Sequence, residues 1–161
     1  MSSSRKPNIV TITTHDTGRH LGCYGPETVH SETIDAIASD GCLFTNYYPT
    51  SSVCRPSHGT MMTGRCEQRS GLMGLVHSPW WWRFNEGERH LSHMLADVGY
   101  HTALFGVHHE TAYPEEELCF HEIHSPGRES CVQVARRAAD FLVAARTGRA
   151  VLCSGRFLRD P

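Results

Sequence analysis

Two stretches of β-branched and apolar residues, each followed by polar residues and interleaved with helix-period sequence, constrain this chain most. NIVTITT, residues 8–14, is β-branched and mostly apolar, and YHTALFGV, residues 100–107, holds a second apolar run. Runs of that kind suit strands buried on both faces of a parallel sheet. Between and after them lie helical patterns. Residues 31–40 place Ile34, Ile37 and Ala38 on one face, with Ser31 as a cap and Gly41 as a stop. Residues 90–98 repeat Leu91, Met94, Leu95 and Val98 at helical spacing before Gly99. Residues 130–145 carry Val134, Ala138, Phe141, Leu142 and Ala145 on one face. Two further strands are predicted, CLFTNYY at 42–48 and residues 149–155. The alternation implies an α/β fold with a mostly parallel sheet and flanking helices.

In such sheets ligands collect at the carboxyl ends of the strands. The first predicted strand runs into HDTGRHLGCYG, and the run at 100–107 into His108, His109 and Glu110. A third chemically dense stretch, SSVCRPSHGTMMTGR, spans residues 51–65. Pro56 and Ser57 suit a first helical turn, which puts Cys54 at the helix mouth, and Gly64 closes the helix. Unpaired N–H groups and the helix dipole favour an anion there. His58, four residues on, comes round to the same face one turn deeper, and Met61 and Met62 are expected to point into the core. Set against this is the ordinary fate of a free cysteine, a small buried hydrophobe.

Composition excludes several classes. A net charge of −2 without basic runs gives no electrostatic case for nucleic acid or an anionic membrane. Seven cysteines without a C-x-x-C pair exclude zinc-ribbon and thioredoxin-type readings, and twelve histidines form no ligand-spaced cluster that would suit a metal carrier. No signal-peptide core or membrane-length run is present, so a reduced, cytoplasmic chain is the expectation. Irregular structure is expected over residues 71–87, which hold Trp80, Trp81 and Trp82, and a loop over the acidic YPEEELCFHEIHSPGRE.

CRPSHGTMMTGR, residues 54–65, resembles the sulfatase signature C-x-P-S-R followed by an apolar pair and T-G. PNIVTITTHDTGRHLGCYG, residues 7–25, looks like that family's first strand and metal loop. HLSHMLADVGYHTALFGVHHE, residues 90–110, is similar to its helix and strand leading to a G-K-x-H element. The resemblance implies an alkaline-phosphatase-like fold, here incomplete, and hydrolysis of sulfate esters or sulfamates. It implies that Cys54 is oxidised to formylglycine by a formylglycine-generating enzyme. The hydrate of that aldehyde carries two hydroxyls, one attacking sulfur and the other expelling sulfate. It implies a divalent metal, Ca2+, held by oxygen ligands, and a sulfated small molecule or saccharide as substrate, with Trp80–Trp82 a wall for a sugar cleft.

Residue by residue, Cys54 matches the modified nucleophile and one metal neighbour. Asp16 matches a metal aspartate, and His15 stands where another is expected. His109 matches the histidine of G-K-x-H, and His58 stands at the signature arginine. The departures matter chemically. His15 offers nitrogen where calcium prefers oxygen. His58 cannot make the bidentate fork of an arginine. Val107 replaces a lysine, a cation for which His108 is a partial substitute. Competing readings are an inactive sulfatase remnant and a phosphoesterase or phosphonate hydrolase of the same superfamily.

The domain reading is a polar tail at 1–7, the N-terminal part of a sulfatase domain at 8–146, and an atypical tail at 147–161. The final residues, FLRDP, are what codons for a family-like F-F-E-T-H phrase spell in a shifted frame, so a frameshift near residues 147–150 is expected. A four-stranded fragment of this kind is expected to leave apolar surface uncovered and to be marginally stable or to oligomerise.

Overall fold

The computed structural model describes residues 6–15, 17–25, 29–108, 110, 118–124 and 130–144, and the backbone of 149–155. The chain forms two compact units, one of residues 1–15 with 50–161 and one of residues 16–49.

The larger unit is built on strands β1 (Ile9–Thr14), β2 (His101–Gly106), β3 (Glu122–His124) and β4 (Arg149–Gly155). Their order is β1-β4-β2-β3 and every pairing is parallel. β4 sits between β1, from Ile9 opposite Ala150 to Thr14 opposite Gly155, and β2, from His101 opposite Arg149 to Gly106 opposite Ser154. The α/β architecture read from the alternation of runs is the one observed.

β2 shows why its sequence is mostly apolar: from Thr102 to Gly106 every residue is buried. Ala103 and Phe105 pack on helix α5 (Cys131–Ala144), against Val134, Ala138, Phe141 and Leu142. Leu104 points the other way, toward Met62 with Leu91, Phe120 and Ile123. Met62 belongs to α2 (Cys54–Thr63), and Leu91 opens α4 (Leu91–Asp97). A short helix, α3 (Glu67–Ser70), follows α2.

β1 differs from expectation. Its burial alternates, with Val10 43% and Ile12 70% exposed. Among the described strands β1 is an edge, so the run that sequence reads as buried on both faces is covered on one only. Met61, expected in the core, is 39% exposed; of the adjacent methionines only Met62 is buried. β3 lies inside the acidic stretch expected to be loop. Three residues are too few for periodicity to mark, and the strand is held instead by side chains. His121 N–H donates to the Thr102 carbonyl (2.9 Å), and Thr102 N–H donates to His121 Nδ1 (3.1 Å). Glu122 lies 2.6 Å from His101 Nε2. Trp80, Trp81 and Trp82 stand in irregular chain, 61%, 63% and 41% exposed.

The smaller unit holds a 3-10 turn (Gly22–Tyr24) and helix α1 (Glu32–Asp40). Asp35 accepts from Cys23 N–H (2.7 Å) and from the Ser31 hydroxyl (3.0 Å), while Ser31 Oγ accepts from Gly22 N–H (2.8 Å). Ser31 therefore precedes the helix as expected, but ties it to the L-G-C-Y-G stretch rather than capping its own turn. Ile34 and Ile37, the expected buried face, are 43% and 65% exposed. Residues 42–48 form no strand. The chain turns at 45–46, and Phe44 packs edge-on against Tyr47 at 6.5 Å. A strand needs a partner to satisfy its ladder, and this unit contains no other strand among its described residues.

Helix α2 is seated tightly through Gly59, which is buried. A Cβ at that position would lie 2.7 Å from Leu72 Cδ2 and 3.2 Å from the Phe84 ring. Leu72 is fully buried and has little room to yield. Gly59→Ala is therefore expected to destabilise the fold by about 1–3 kcal/mol despite its better helix propensity. A lowered urea midpoint at unchanged slope checks this.

Candidate active site

Cys54 is the first residue of α2 and is half-buried. The residue before it, Val53, is extended (φ −92°, ψ 135°) and supplies no side-chain cap. Pro56 has no N–H to orphan, and the first helical bond closes from Ser57 N–H to the Val53 carbonyl at 3.1 Å. At the other end Gly64 takes the left-handed conformation (φ 68°), and its N–H donates to the Thr60 carbonyl at 2.8 Å. The helix read from the sequence is thus observed with the bounds its residue chemistry implies. Its mouth has the geometry that favours an anion near Cys54.

One turn deeper His58 reaches a feature that motif reading misses. Its Nδ1 lies 3.3 Å from Oε1 of Glu110, with side-chain exposures of 14% and 4%. The other carboxylate oxygen faces His108 Nδ1 at 3.9 Å. His108, which follows β2, is buried at 6%. Burial by itself would raise the Glu110 pKa. The hydrogen bond and charge of His58, with His90, overcome it and hold the carboxyl at about 2, so Glu110 is an anion at neutral pH.

His90 completes this cluster. Its Nδ1 accepts from Ser92 N–H at 3.1 Å and caps α4, and its ring packs edge-on against Phe120 at 5.7 Å. Burial lowers its pKa to about 4; Glu110 opposes that shift, and His93 and His108 reinforce it. His90 is therefore neutral at pH 7. Neither Glu110 nor His90 carried a sequence signal beyond its place at an element end.

The remaining expected site residues are placed unevenly. His15 follows β1 and is half-buried. Asp16 and His109 lie outside the described residues. No group of three His, Cys, Asp or Glu side chains with metal-holding geometry exists among the described residues. What they offer toward the expected metal is an imidazole and a thiol, donors softer than calcium selects. The described donors alone do not make a Ca2+ site, for which the oxygen ligand Asp16, outside the described residues, would be needed. The described cysteines are free thiols. No helix among the described residues is long and apolar enough to cross a membrane.

The sulfatase family model matches residues 7–133. Human steryl-sulfatase is 31% identical over 131 residues, covering 76% of this chain and 22% of that protein. Human arylsulfatase A is 34% identical over 121 residues, covering 71% and 23%. The N-acetylglucosamine-6-O-sulfatase of Bacteroides thetaiotaomicron is 27% identical over 113 residues, covering 70% and 19%. The chain thus spans about a quarter or less of the length of these relatives. Among solved structures, a chain in complex with its substrate D-glucosamine-2-N,6-O-disulfate superposes with a TM-score of 0.78 at 21% identity, over 96% of this chain and 35% of that one. A 2-O GAG sulfatase superposes at 0.71, also at 21% identity, over 96% and 35%. With the strand order, the Cys54 helix and a family match over most of its length all in agreement, the chain belongs to the sulfatase family and has its alkaline-phosphatase-like α/β fold.

Proposed function

We propose that this chain carries the nucleophile half of a sulfatase site, acting on sulfate esters or sulfamates through a formylglycine made from Cys54. The observation that carries the reading is the position of Cys54: first residue of a ten-residue helix, half-buried, with Pro56 next but one. A thiol in that place is reachable by a modifying enzyme, and the residue made from it faces the N–H groups that favour a sulfate oxygen. Converting the Cβ thiol to an aldehyde is a two-electron oxidation that releases the sulfur as hydrogen sulfide. Dioxygen takes those two electrons and two more from an external thiol pair, which becomes a disulfide, and ends as water and the aldehyde oxygen, so the step requires a formylglycine-generating enzyme as partner.

The substrate class under this reading is a sulfated small molecule or saccharide, consistent with the carbohydrate sulfatases among its relatives. The exposed Trp80–Trp82 run supplies flat apolar surface of the kind sugar rings stack on. A divalent metal belongs to the same reading, with Asp16 as its hard ligand. His15 shifts the expected preference from Ca2+ toward softer divalent ions. The free thiols suit a reducing, cytoplasmic setting.

The test is mass spectrometry of the peptide containing Cys54, from the chain co-produced with a formylglycine-generating enzyme. A peptide lighter than the thiol form, and reactive with an aldehyde probe, is expected. An intact thiol under those conditions favours the second reading, a sulfatase-family chain without turnover. One observation supports that alternative: the side chain at position 58 is a half-buried histidine bonded to Glu110 rather than a residue able to make a bidentate cationic contact.

A further inference from the structure

Among the described residues, a positive φ is held by seven glycines and by one other residue, Trp81, at 51°. Left-handed backbone crowds a Cβ against the following carbonyl, so a bulky side chain there is an outlier. Glycine would take the same conformation without strain. The loop nevertheless fixes it with hydrogen bonds. Trp80 N–H and Trp81 N–H both donate to the His77 carbonyl, at 2.9 and 3.2 Å, and Trp82 N–H donates to the Leu75 carbonyl at 3.2 Å. Val76, 4% exposed, roots the turn in the core. A turn closed by a bond from four residues on commonly ends in glycine; this one ends in tryptophan.

The three indoles of the loop are not equivalent. Trp82 packs on Gly74, where a Cβ would lie 2.7 Å from its Cδ1 and 2.9 Å from its Nε1. It is the least exposed of the three. Trp81 is the most exposed, at 63%, so packing does not offset the strain beneath it. A large ring held outward on a strained, hydrogen-bonded backbone points to a ligand. The flanking residues indicate its chemistry. His77 and Ser78 before the indoles, and Arg83, Asn85 and Glu86 after them, are all exposed. A bilayer would take water from those polar groups. A saccharide would not: its C–H face lies on an indole while its hydroxyls and sulfate stay among polar side chains.

We propose that this loop is a preformed stacking subsite for a saccharide ring. Trp81 is the indole the sugar lies on, and its left-handed backbone holds that indole outward before the sugar arrives. Trp82, packed on Gly74, is the base that keeps the loop in shape. Preorganisation of this kind reduces the ordering lost on binding, because a tryptophan has only two side-chain torsions to fix. The inference deepens the saccharide reading and rests on it for the ligand class, but it does not pass through Cys54.

All three tryptophans of the chain lie in this loop, so intrinsic fluorescence reports on it alone. The experiment is a fluorescence titration of the full chain, with Cys54 left as the thiol, against N-acetylglucosamine 6-sulfate and unsulfated N-acetylglucosamine. Saturation-transfer NMR on the sugar protons is the second readout. Saturable binding of the sulfated sugar by the parent is expected. Trp81→Gly and Trp81→Ala both remove the ring, and each is expected to weaken binding about tenfold. The two variants separate in stability. Glycine relaxes the left-handed backbone and alanine does not, so the urea midpoint of Trp81→Gly is expected above that of Trp81→Ala. The reverse order overturns the proposal. A parent that binds the sugar while both variants bind it within about twofold overturns it too, and leaves the saccharide reading standing. No saturable binding of either sugar by the parent overturns it as well. So does a fluorescence change with phosphatidylcholine vesicles and none with sugar, which would assign the loop to a bilayer surface. Conversion of Cys54, read by mass, is independent of every one of these results, so the two ideas fail separately.

Discussion

Acidifying this protein from pH 7 to pH 3 is expected to unfold it, and the loss begins well above the carboxylate range. The first contribution comes from His90. Its folded pKa of about 4 lies below the unfolded value of 6.5, because burial disfavours the charged ring. A depressed pKa gives stability that is complete above the unfolded value and is lost as pH falls toward the folded one. His90 therefore removes stability between pH 6.5 and about 4, on the order of 3 kcal/mol for that separation. Glu110 acts in the next window. Its folded pKa of about 2 lies below the unfolded 4.5, held there by His58 against the opposing effect of burial. It removes a comparable amount, about 3 kcal/mol, as pH falls from 4.5 to about 2. Both losses have the same sign, and together they approach the roughly 5–15 kcal/mol total of a typical domain. Urea midpoints measured from pH 8 to pH 3 check this. His90→Asn tests the assignment, because asparagine can still accept from Ser92 N–H as an N-cap but does not titrate. Its midpoint is expected to stay flat between pH 6.5 and 4.5. A parent-like slope in that variant sinks the role given to His90.

The same residues show what the sequence could and could not reveal. The parallel sheet is readable because β2 is apolar from Ala103 to Phe105, and every position from Thr102 to Gly106 is buried. Helix α2 was readable because Pro56 and Gly64 leave few alternatives for the backbone at its two ends. The aromatic run at 42–48 misled because apolar content marks a strand only where a partner strand exists. Phe44 and Tyr47 instead pack on each other in a turn. β3 was invisible because three residues held by Thr102, His121 and Glu122 carry no period. The site divides the same way. Cys54 and His58 stand out through the signature-like stretch at 54–65, which sets both on one helix. Glu110 comes from 52 positions further along the chain, and only the fold brings it to His58. Nothing about a glutamate after a strand marks it for burial; most such residues stay solvated.

Cys54→Ser is expected to lower steady-state hydrolysis of an aryl sulfate by at least about 10³-fold in a chain produced with a formylglycine-generating enzyme, the scale on which loss of a nucleophile acts. Its thermal unfolding should stay close to that of the parent. Cys54 is half-buried and the replacement is near-isosteric, so no cavity forms and no cap is lost, since the residue before the helix supplies none. A serine hydroxyl can attack sulfur once, displacing the alcohol of the substrate and taking the sulfate onto its own oxygen. Release then requires a second oxygen on the same carbon, whose electrons form a carbonyl as the C–O bond to sulfate breaks. Serine has one oxygen on that carbon, so sulfate stays esterified and only slow attack by water frees it. The expected record is therefore a burst of at most one equivalent of alcohol, followed by near-silence, with the peptide spanning residues 54–65 heavier by one sulfate. Turnover by Cys54→Ser within about tenfold of the parent would place the nucleophile elsewhere. The same assay on His58→Arg, which leaves Cys54 intact, would then show whether the α2 face takes part in the reaction at all.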